Sequence, residues 1–243
     1  MNDYGVDLAR IHHQGYDDLA RRAGPAIVRH LREAEIRGGL IVDLGCGSGI
    51  LARYLSDRGY QVLGIDPSSA MLRIARRVAP AARFIQKRAE EVTLPSCMAV
   101  IATGEALTYL PARTAPMVHL RRHIHRVSDA LIPGGLFMFD VITEGRSAPM
   151  TYRTWRAVTD WAVLAAVAED RRQHVVTRRI TTFARVGSSY RRSYTEHRVG
   201  VYRPGGVLRE LRACGFVAHT LYGYGEVPPL PRRRVFHAHF KGS

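Results

Sequence analysis

Apolar residues at Leu8, Ile11, Leu19, Ile27, Val28 and Leu31 recur at near-helical spacing, which predicts helix over residues 3–37 with a break at Gly24-Pro25. After Gly38-Gly39 the pattern changes to a compact apolar run, Leu40-Ile41-Val42-Asp43-Leu44, closed by glycines: a buried strand. A helical stretch opens at Ser48, carries Ile50, Leu51, Tyr54 and Leu55, and stops at Gly59. Residues 61–65 form the next short apolar run, and Asp66-Pro67-Ser68 leads into a second helix through Met71, Leu72, Ala75 and Val78. Residues 83–86 and 97–103 read as a third and a fourth strand. Met117, Leu120, Ile124, Val127 and Leu131 make one apolar stripe, so residues 112–131 should be helical. Pro133-Gly134-Gly135 punctuates the chain before a fifth strand at 136–141. Strands alternating with helices over 140 residues predict an α/β, doubly wound, mainly parallel sheet.

From Trp155 onward the character differs. Residues 161–168, 174–183 and 190–202 read as three strands joined by short turns around Glu169-Asp170 and Val186-Gly187-Ser188. Connections this short make antiparallel hairpins rather than crossovers. A short helix (206–213) and two strands (216–221 and 235–240) follow.

Composition adds limits. With 243 residues and 46% of them hydrophobic, the chain can bury a sizeable core, which excludes a mainly disordered protein. No apolar run approaches the ~20 residues a membrane helix needs. Met1-Asn2-Asp3-Tyr4 is acidic and no apolar stretch follows it, so a secretory signal is not expected. Cys46, Cys97 and Cys214 contain no CxxC pair, which argues against a disulfide framework and a cysteine zinc site. The expectation is a cytoplasmic protein without a membrane partner.

Charge changes the picture more. The chain has 36 basic and 21 acidic side chains, net +15, and Lys87 and Lys241 are the sole lysines. Residues 1–145 hold 18 basic and 15 acidic groups, net +3; residues 146–243 hold 18 and 6, net +12. That asymmetry points to an acidic partner or substrate for the C-terminal part, with a basic but idle surface as the alternative.

The most informative stretch is Ile41-Val42-Asp43-Leu44-Gly45-Cys46-Gly47-Ser48-Gly49. A glycine-rich turn after a first parallel strand lets a ligand lie against the backbone, with amides that favour a carboxylate or phosphate. The spacing is GxGxG, not the GxGxxG of a dinucleotide site. Asp43 puts a negative charge where a pyrophosphate is unwelcome and an ammonium group is suited. Asp66, at the end of the second strand, can accept both hydroxyls of a ribose. A ligand with an amino acid end, a ribose and an adenine fits, and S-adenosylmethionine is the obvious candidate.

Here the sequence resembles the class I S-adenosylmethionine-dependent methyltransferases. VDLGCGSG at 42–49 looks like that family's first motif, and Gly64-Ile65-Asp66-Pro67-Ser68 with Met71-Leu72 like the segment after it. Leu131-Ile132-Pro133-Gly134-Gly135-Leu136 looks like its turn from helix to fifth strand. The resemblance implies a Rossmann-like methyltransferase fold with a seven-stranded sheet. It divides the chain into an N-terminal helical lid (1–37), a cofactor-binding core (38–145), an antiparallel three-strand insertion over the acceptor site (146–203), and a helix with the last two core strands (204–243).

It also implies roles. Gly45 and Gly47 line the methionine end, with Cys46 and the lid's Tyr4 also among the cofactor-binding residues, and Asp43 orients the ammonium group. Asp66 holds the ribose, and Pro67 and Met71 pack near the adenine. The family's adenine segment falls on Lys87-Arg88-Ala89-Glu90. Arg88 stands there where Asp or Ser is common, and arginine cannot accept a bond from the adenine amino group; the Ala89 amide remains. Thr103 and Gly104 face the methionine portion.

Methyl transfer from a sulfonium is an in-line displacement, and a base is needed when the acceptor must lose a proton early. Glu105, after the fourth strand, is the first candidate for an acceptor-facing base; a solvated loop acid is the alternative. His12 or His13, with His12 preferred, follows from the segment 4–16 that folds over the cofactor in similar enzymes. Tyr190, Arg192, Tyr194, Glu196 and Arg198 share one strand face, suited either to an anionic aromatic substrate or to solvent. Arg191, Ser193, Thr195 and His197 take the other, and His197 is the third catalytic candidate. His237 with His239, and His123 with His125, lack carboxylate or cysteine partners at metal-ligand spacing, so no metal is expected.

The Gly104-Glu105-Ala106-Leu107 loop, the insertion and the Tyr222-Gly223-Tyr224-Gly225 ending look similar to biosynthetic members of the family. They imply transfer to O, N or C of a small, anionic or aromatic metabolite. The alternatives are a nucleic-acid methyltransferase and a related fold catalysing another reaction such as a cyclisation. Nucleic acid is disfavoured, because the fourth strand lacks (N/D)PPY and no RNA-binding module is appended. An acidic carrier protein delivering the substrate and a second copy in a homodimer are further candidate partners.

Overall fold

The structure, a computed structural model, describes residues 4–145, 148–225 and 231–242. The first three residues of the expected lid and two at the start of the expected insertion lie outside them. Among the described residues, no helix is long and apolar enough to cross a membrane.

The core sheet is built as its apolar runs predict. Strands β1 (Leu40–Leu44), β2 (Gln61–Asp66), β3 (Arg83–Gln86), β4 (Cys97–Ala102) and β5 (Leu131–Thr143) pair in parallel in the order β3-β2-β1-β4-β5. Strand β11 (Arg233–Phe240) runs antiparallel to β5 and carries β10 (Phe216–Leu221) on its far side, completing seven strands. Successive side chains point to opposite faces, and each face has its own core. Val42, Val100, Phe137 and Phe236 pack with Leu120, Ile124 and Val127 of α5 (Pro116–Ala130) and with Val207 and Leu211 of α6 (Pro204–Ala213). Ile41, Val62, Ile101 and Met138 pack with Ile27 and Leu31 of α2 (Asp18–Glu33) and with Leu51 and Leu55 of α3 (Ile50–Ser56).

Three boundaries differ from the sequence reading. The N-terminal helices are α1 (Val6–Gly15) and α2, and the break falls at Tyr16-Asp17, while Gly24-Pro25 lies inside α2. Gly24 is there for close packing: a Cβ added at it would sit 2.8 Å from Cδ1 of Tyr54 on α3. Helix α5 opens at Pro116, a residue preadapted to the first helical position. Strand β5 starts already at Leu131, and its pairing with β4 shifts register between Cys97 and Ala99.

The insertion has four strands rather than three. β6 (Thr151–Val158), β7 (Trp161–Asp170), β8 (Val175–Val186) and β9 (Ser189–Tyr202) form an antiparallel meander. β6 was invisible in the pattern because all eight of its residues are exposed, so no apolar face marks it. β9 joins the core sheet through two pairs, Ile142 with Val201 and Thr143 with Tyr202.

Helix α1 bridges the two parts. On the core side the Ser68 hydroxyl donates to the Tyr4 carbonyl (2.6 Å), and His13 Nδ1 lies 3.0 Å from the Ser48 hydroxyl. On the insertion side Arg191 donates twice to Asp7 (2.7 and 2.8 Å), Arg156 donates to the Gly15 carbonyl, and Ile11 is buried against Trp161, Val163 and Ala184.

Candidate functional site

The carboxyl ends of β1, β2 and β4 open onto one cleft, at the point where strand order reverses about β1. The glycine loop after β1 forms its floor. Gly45 has φ +70°, and a Cβ there would overlap the Ala106 Cβ, so only glycine fits both the conformation and the space. The loop's amides are largely spent internally: Gly45 and Cys46 donate to the Ile65 carbonyl (2.8 and 3.2 Å). The anion-binding role expected of that turn is therefore narrower than its glycines suggest.

Two carboxylates flank the loop. Asp66 accepts from the Gly47 amide (3.0 Å) and the Ser68 amide (2.8 Å), tying the loops after β1 and β2 together. Asp43 is 1% exposed, and its Oδ2 has no hydrogen-bond partner. Burial, then the nearby Asp66 charge, pushes its carboxyl up to about 7.

The sequence-predicted cofactor residues meet here. Asp43, Gly45, Cys46, Gly47 and Asp66 line the cleft beside Pro67 and Met71, with Arg88 and Ala89 on one side and Thr103, Gly104 and Tyr4 on the other. Burial pushes the Cys46 thiol well above its ordinary range, so it stays protonated. His12 and His197 also line the cleft. Burial lowers His12 to about 4, leaving a neutral ring.

Glu105 is a correction. It is buried, does not line the cleft, and has φ +67°, which turns it away from the expected acceptor-facing position. Arg178 of β8 grips it from two nitrogens (Nη1 to Oε2 2.7 Å, Nη2 to Oε1 3.0 Å), and Arg233 of β11 donates to Oε1. Burial would raise its carboxyl, but the two guanidiniums outweigh burial and hold it below the usual range. A carboxylate held this way is a poor proton acceptor. Behind it, Asp140 accepts from the Gly104 and Glu105 amides (2.7 and 3.1 Å) and from the Tyr224 hydroxyl (2.9 Å), fixing the loop after β4.

Of the two readings of the strand face with Tyr190, Arg192 and Tyr194, the solvent-facing one agrees with their exposure, whereas Thr195 and His197 on the other face are buried. Tyr4, Tyr109 and His197 together form one wall of the cleft. The His197 ring stacks on Tyr4 (5.2 Å) and meets Tyr109 edge-on (5.3 Å), which brings the two phenols to the same wall.

Sequence reasoning missed Tyr109, Ser68 and Tyr224, and it paired His123 with His125 where the structure sets it against His119. His119 and His123, one helical turn apart, line the cleft with Nε2 atoms 3.2 Å apart; the i,i+4 spacing was the available signal. His237 packs among His30, His219 and His239, each ring 4.8 Å away. No group of three His, Cys, Asp or Glu among the described residues is placed to hold a metal ion.

Residues 41–135 match a protein-family model described as a methyltransferase domain. The malonyl-[acyl-carrier protein] O-methyltransferase of Enterobacter lignolyticus is 28% identical over 150 residues, 61% of this chain and 56% of that protein. The chain thus spans about half the length of the curated relatives it matches. Among solved structures, an S-adenosylmethionine-dependent methyltransferase from Clostridium acetobutylicum superposes with a TM-score of 0.81 at 18% identity, covering 96% of this chain and 99% of the other. A sugar N-methyltransferase from a Streptoalloteichus species superposes with 0.79 at 18%, covering 99% and 96%. Residues 41–135 thus form a methyltransferase domain, and the seven-stranded core sheet, with its glycine loop, Asp43 and Asp66, has the fold of the S-adenosylmethionine-dependent methyltransferases.

Proposed function

We propose that the chain transfers the methyl group of S-adenosylmethionine to a small molecule held between the core, α1 and the insertion sheet. The observation that carries this reading is Asp43. A buried carboxylate with an unpartnered oxygen is costly unless an opposite charge reaches it, and the ammonium group of the cofactor is such a charge. Asp66 then accepts the ribose hydroxyls, since each carboxylate oxygen can take more than one bond. Pro67 and Met71 pack on the adenine, and the Ala89 amide serves its edge. Thr103 and Gly104 border the methionine portion, with the latter held by Asp140.

The cofactor, when bound, supplies an electrophilic methyl group on sulfur. The protein's part is to align the acceptor in line with the S–CH₃ bond and to exclude water. Tyr4 and His12 do this from α1 and the residues before it, Tyr109 from the loop after β4, and His197 from the insertion.

The test is calorimetric. Asp66→Ala should weaken S-adenosylmethionine binding by about ten- to a hundredfold, the loss of a charge-assisted pair of bonds. Parent-like affinity would remove the cofactor assignment; formation of S-adenosylhomocysteine with an acceptor reports the transfer itself.

An acceptor tethered to an acidic carrier protein is a second reading. The exposed Arg153 and Arg192 of the insertion and the malonyl-[acyl-carrier protein] relative favour it. Turnover of a carrier-bound acceptor should then fall with salt far more steeply than turnover of the free acceptor.

A further inference from the structure

We propose that the methyl acceptor is a carboxylate, received by the Tyr4–Tyr109 phenol pair with Arg178 behind it, and that the product is a methyl ester. This rests on the methyl-transfer reading above and names its substrate class.

The first argument is placement. The β8–β9 register sets Arg178 directly opposite His197. His197 contacts both Tyr4 and Tyr109, and the Arg178 charge acts on both phenols. The hydrogen bond from Arg178 to Glu105, Nη2 to Oε1, uses one N–H, Nη1 lies 2.7 Å from Oε2 as an ion-pair contact, and a guanidinium has five N–H groups. Tyr4 and Tyr109 line the cleft and Arg178 stands behind them, outside its lining, so the phenols present O–H donors to an oxyanion with the guanidinium charge at their back.

The second argument is charge. Arg178 and Arg233 face Glu105 and Asp140 in one cluster: Glu105 bonds both arginines, and Arg233 Nε lies 3.3 Å from Asp140. Burial is the largest influence on Asp140 and raises its carboxyl above the usual range. The arginine side chains of the cluster keep 23% and 15% exposure while Glu105 and Asp140 keep 2% and 0%, so the side it offers an anionic acceptor is the guanidinium side.

The third argument is the proton inventory. The neutral ring of His12, lowered to about 4, is a weak base, and Glu105 is held by its arginines. A carboxylate needs neither. A lone pair on its oxygen attacks the methyl carbon and the O–C bond forms. The S–C bond breaks with its electron pair going to sulfur, and the negative carboxylate and positive sulfonium become a neutral ester and a neutral thioether. No proton moves. An ammonium acceptor, by contrast, has no lone pair until a base removes a proton. The malonyl O-methyltransferase relative carries the same acceptor chemistry in its name; the sugar N-methyltransferase likeness, at 18% identity, speaks for the fold.

The experiment saturates the full chain with S-adenosylhomocysteine and titrates it with benzoate and malonate, then with benzamide, malonamide and glucosamine. At least one of the two acids should bind, and its amide at least tenfold more weakly. Tyr109→Phe should weaken that acid about tenfold, as expected for one hydrogen bond to a charged group, and Arg178→Gln at least as much. S-adenosylhomocysteine should bind both variants as it binds the parent. Turnover of methyl-labelled S-adenosylmethionine with the same probes should yield label that alkali releases as methanol. If S-adenosylhomocysteine does not bind the parent chain, the cofactor reading fails first. If it binds but neither acid does, or if alkali-stable label accumulates on glucosamine, the carboxylate assignment alone is overturned. Should Arg178→Gln fail to fold, Tyr109→Phe, which removes one oxygen, decides the matter.

Discussion

Asp43 and Glu105 are both buried carboxylates at strand ends, and they show how differently one residue type can be used. Asp43 has an unpartnered oxygen and a carboxyl raised to about 7. A cofactor ammonium favours its ionised form, so binding should release a proton. Affinity for S-adenosylmethionine should therefore be full above pH 7 and fall by up to about tenfold per pH unit below it. Calorimetry in two buffers of different ionisation enthalpy measures that proton. Glu105, by contrast, has its charge matched by two arginines. Glu105→Gln should lower stability in urea by about 3 kcal/mol, the cost of breaking a buried ion pair, without removing a limb from the pH profile of turnover. Loss of the acidic limb, where protonation of a general base cuts turnover, would restore the role of base. The sequence made Asp43 and Asp66 legible because their partners are local: a glycine loop one residue away and a strand end of the same unit. Glu105 was misread because its partners lie 73 and 128 residues away in sequence, and because a left-handed backbone turns it from the cleft.

Among the elements, periodicity found what has one buried face. The parallel strands and α5 were legible for that reason, and β6 was not, having no buried face at all. Helix α1 was legible as a helix, but its joint attachment to core and insertion was not, since Arg191 and Trp161 are far along the chain. That attachment has a testable weak point. The Asp7–Arg191 pair is partly solvated, and such pairs contribute about 0.2–1 kcal/mol; the apolar anchor Ile11 should matter more. Ile11→Ala should cost roughly 2–4 kcal/mol in anchoring α1. It should appear as faster amide exchange across Val6–Gly15 and faster release of S-adenosylhomocysteine, with little change in exchange of β1. Equal exchange in α1 of parent and variant would show that Ile11 does not secure the helix.

At the scale of the molecule, the histidines set a pH limit. His237 is 5% exposed, has no hydrogen-bond partner at either ring nitrogen, and packs against His30, His219 and His239. Burial is the leading cause of its depression to about 3, with the neighbouring histidines adding to it. Burial likewise lowers His30 and His239; Glu33 raises His30 in part, and Arg29 opposes that. The folded state thus excludes protons that the unfolded chain takes up below about pH 6.5. Stability should be full above that pH and decline as pH falls from 6.5 toward 3, and His237→Leu should flatten the decline in Tm between pH 7 and 5. An unchanged slope would clear the cluster. The charge split between the two halves was also legible, but not its disposition: Arg178 and Arg233 turn inward, while Arg153 and Arg192 remain at the surface. The last of these features bears on how copies of the chain meet. Strand β6 ends the sheet with one side unpaired among the described residues, and it exposes Trp155 at 75%. An edge of that kind is an invitation to strand-on-strand growth. Arg153 and Arg156 interrupt it with charge on alternate faces of the strand, so the same arginine excess that first suggested an acidic partner also opposes pairing of this edge with that of a second copy.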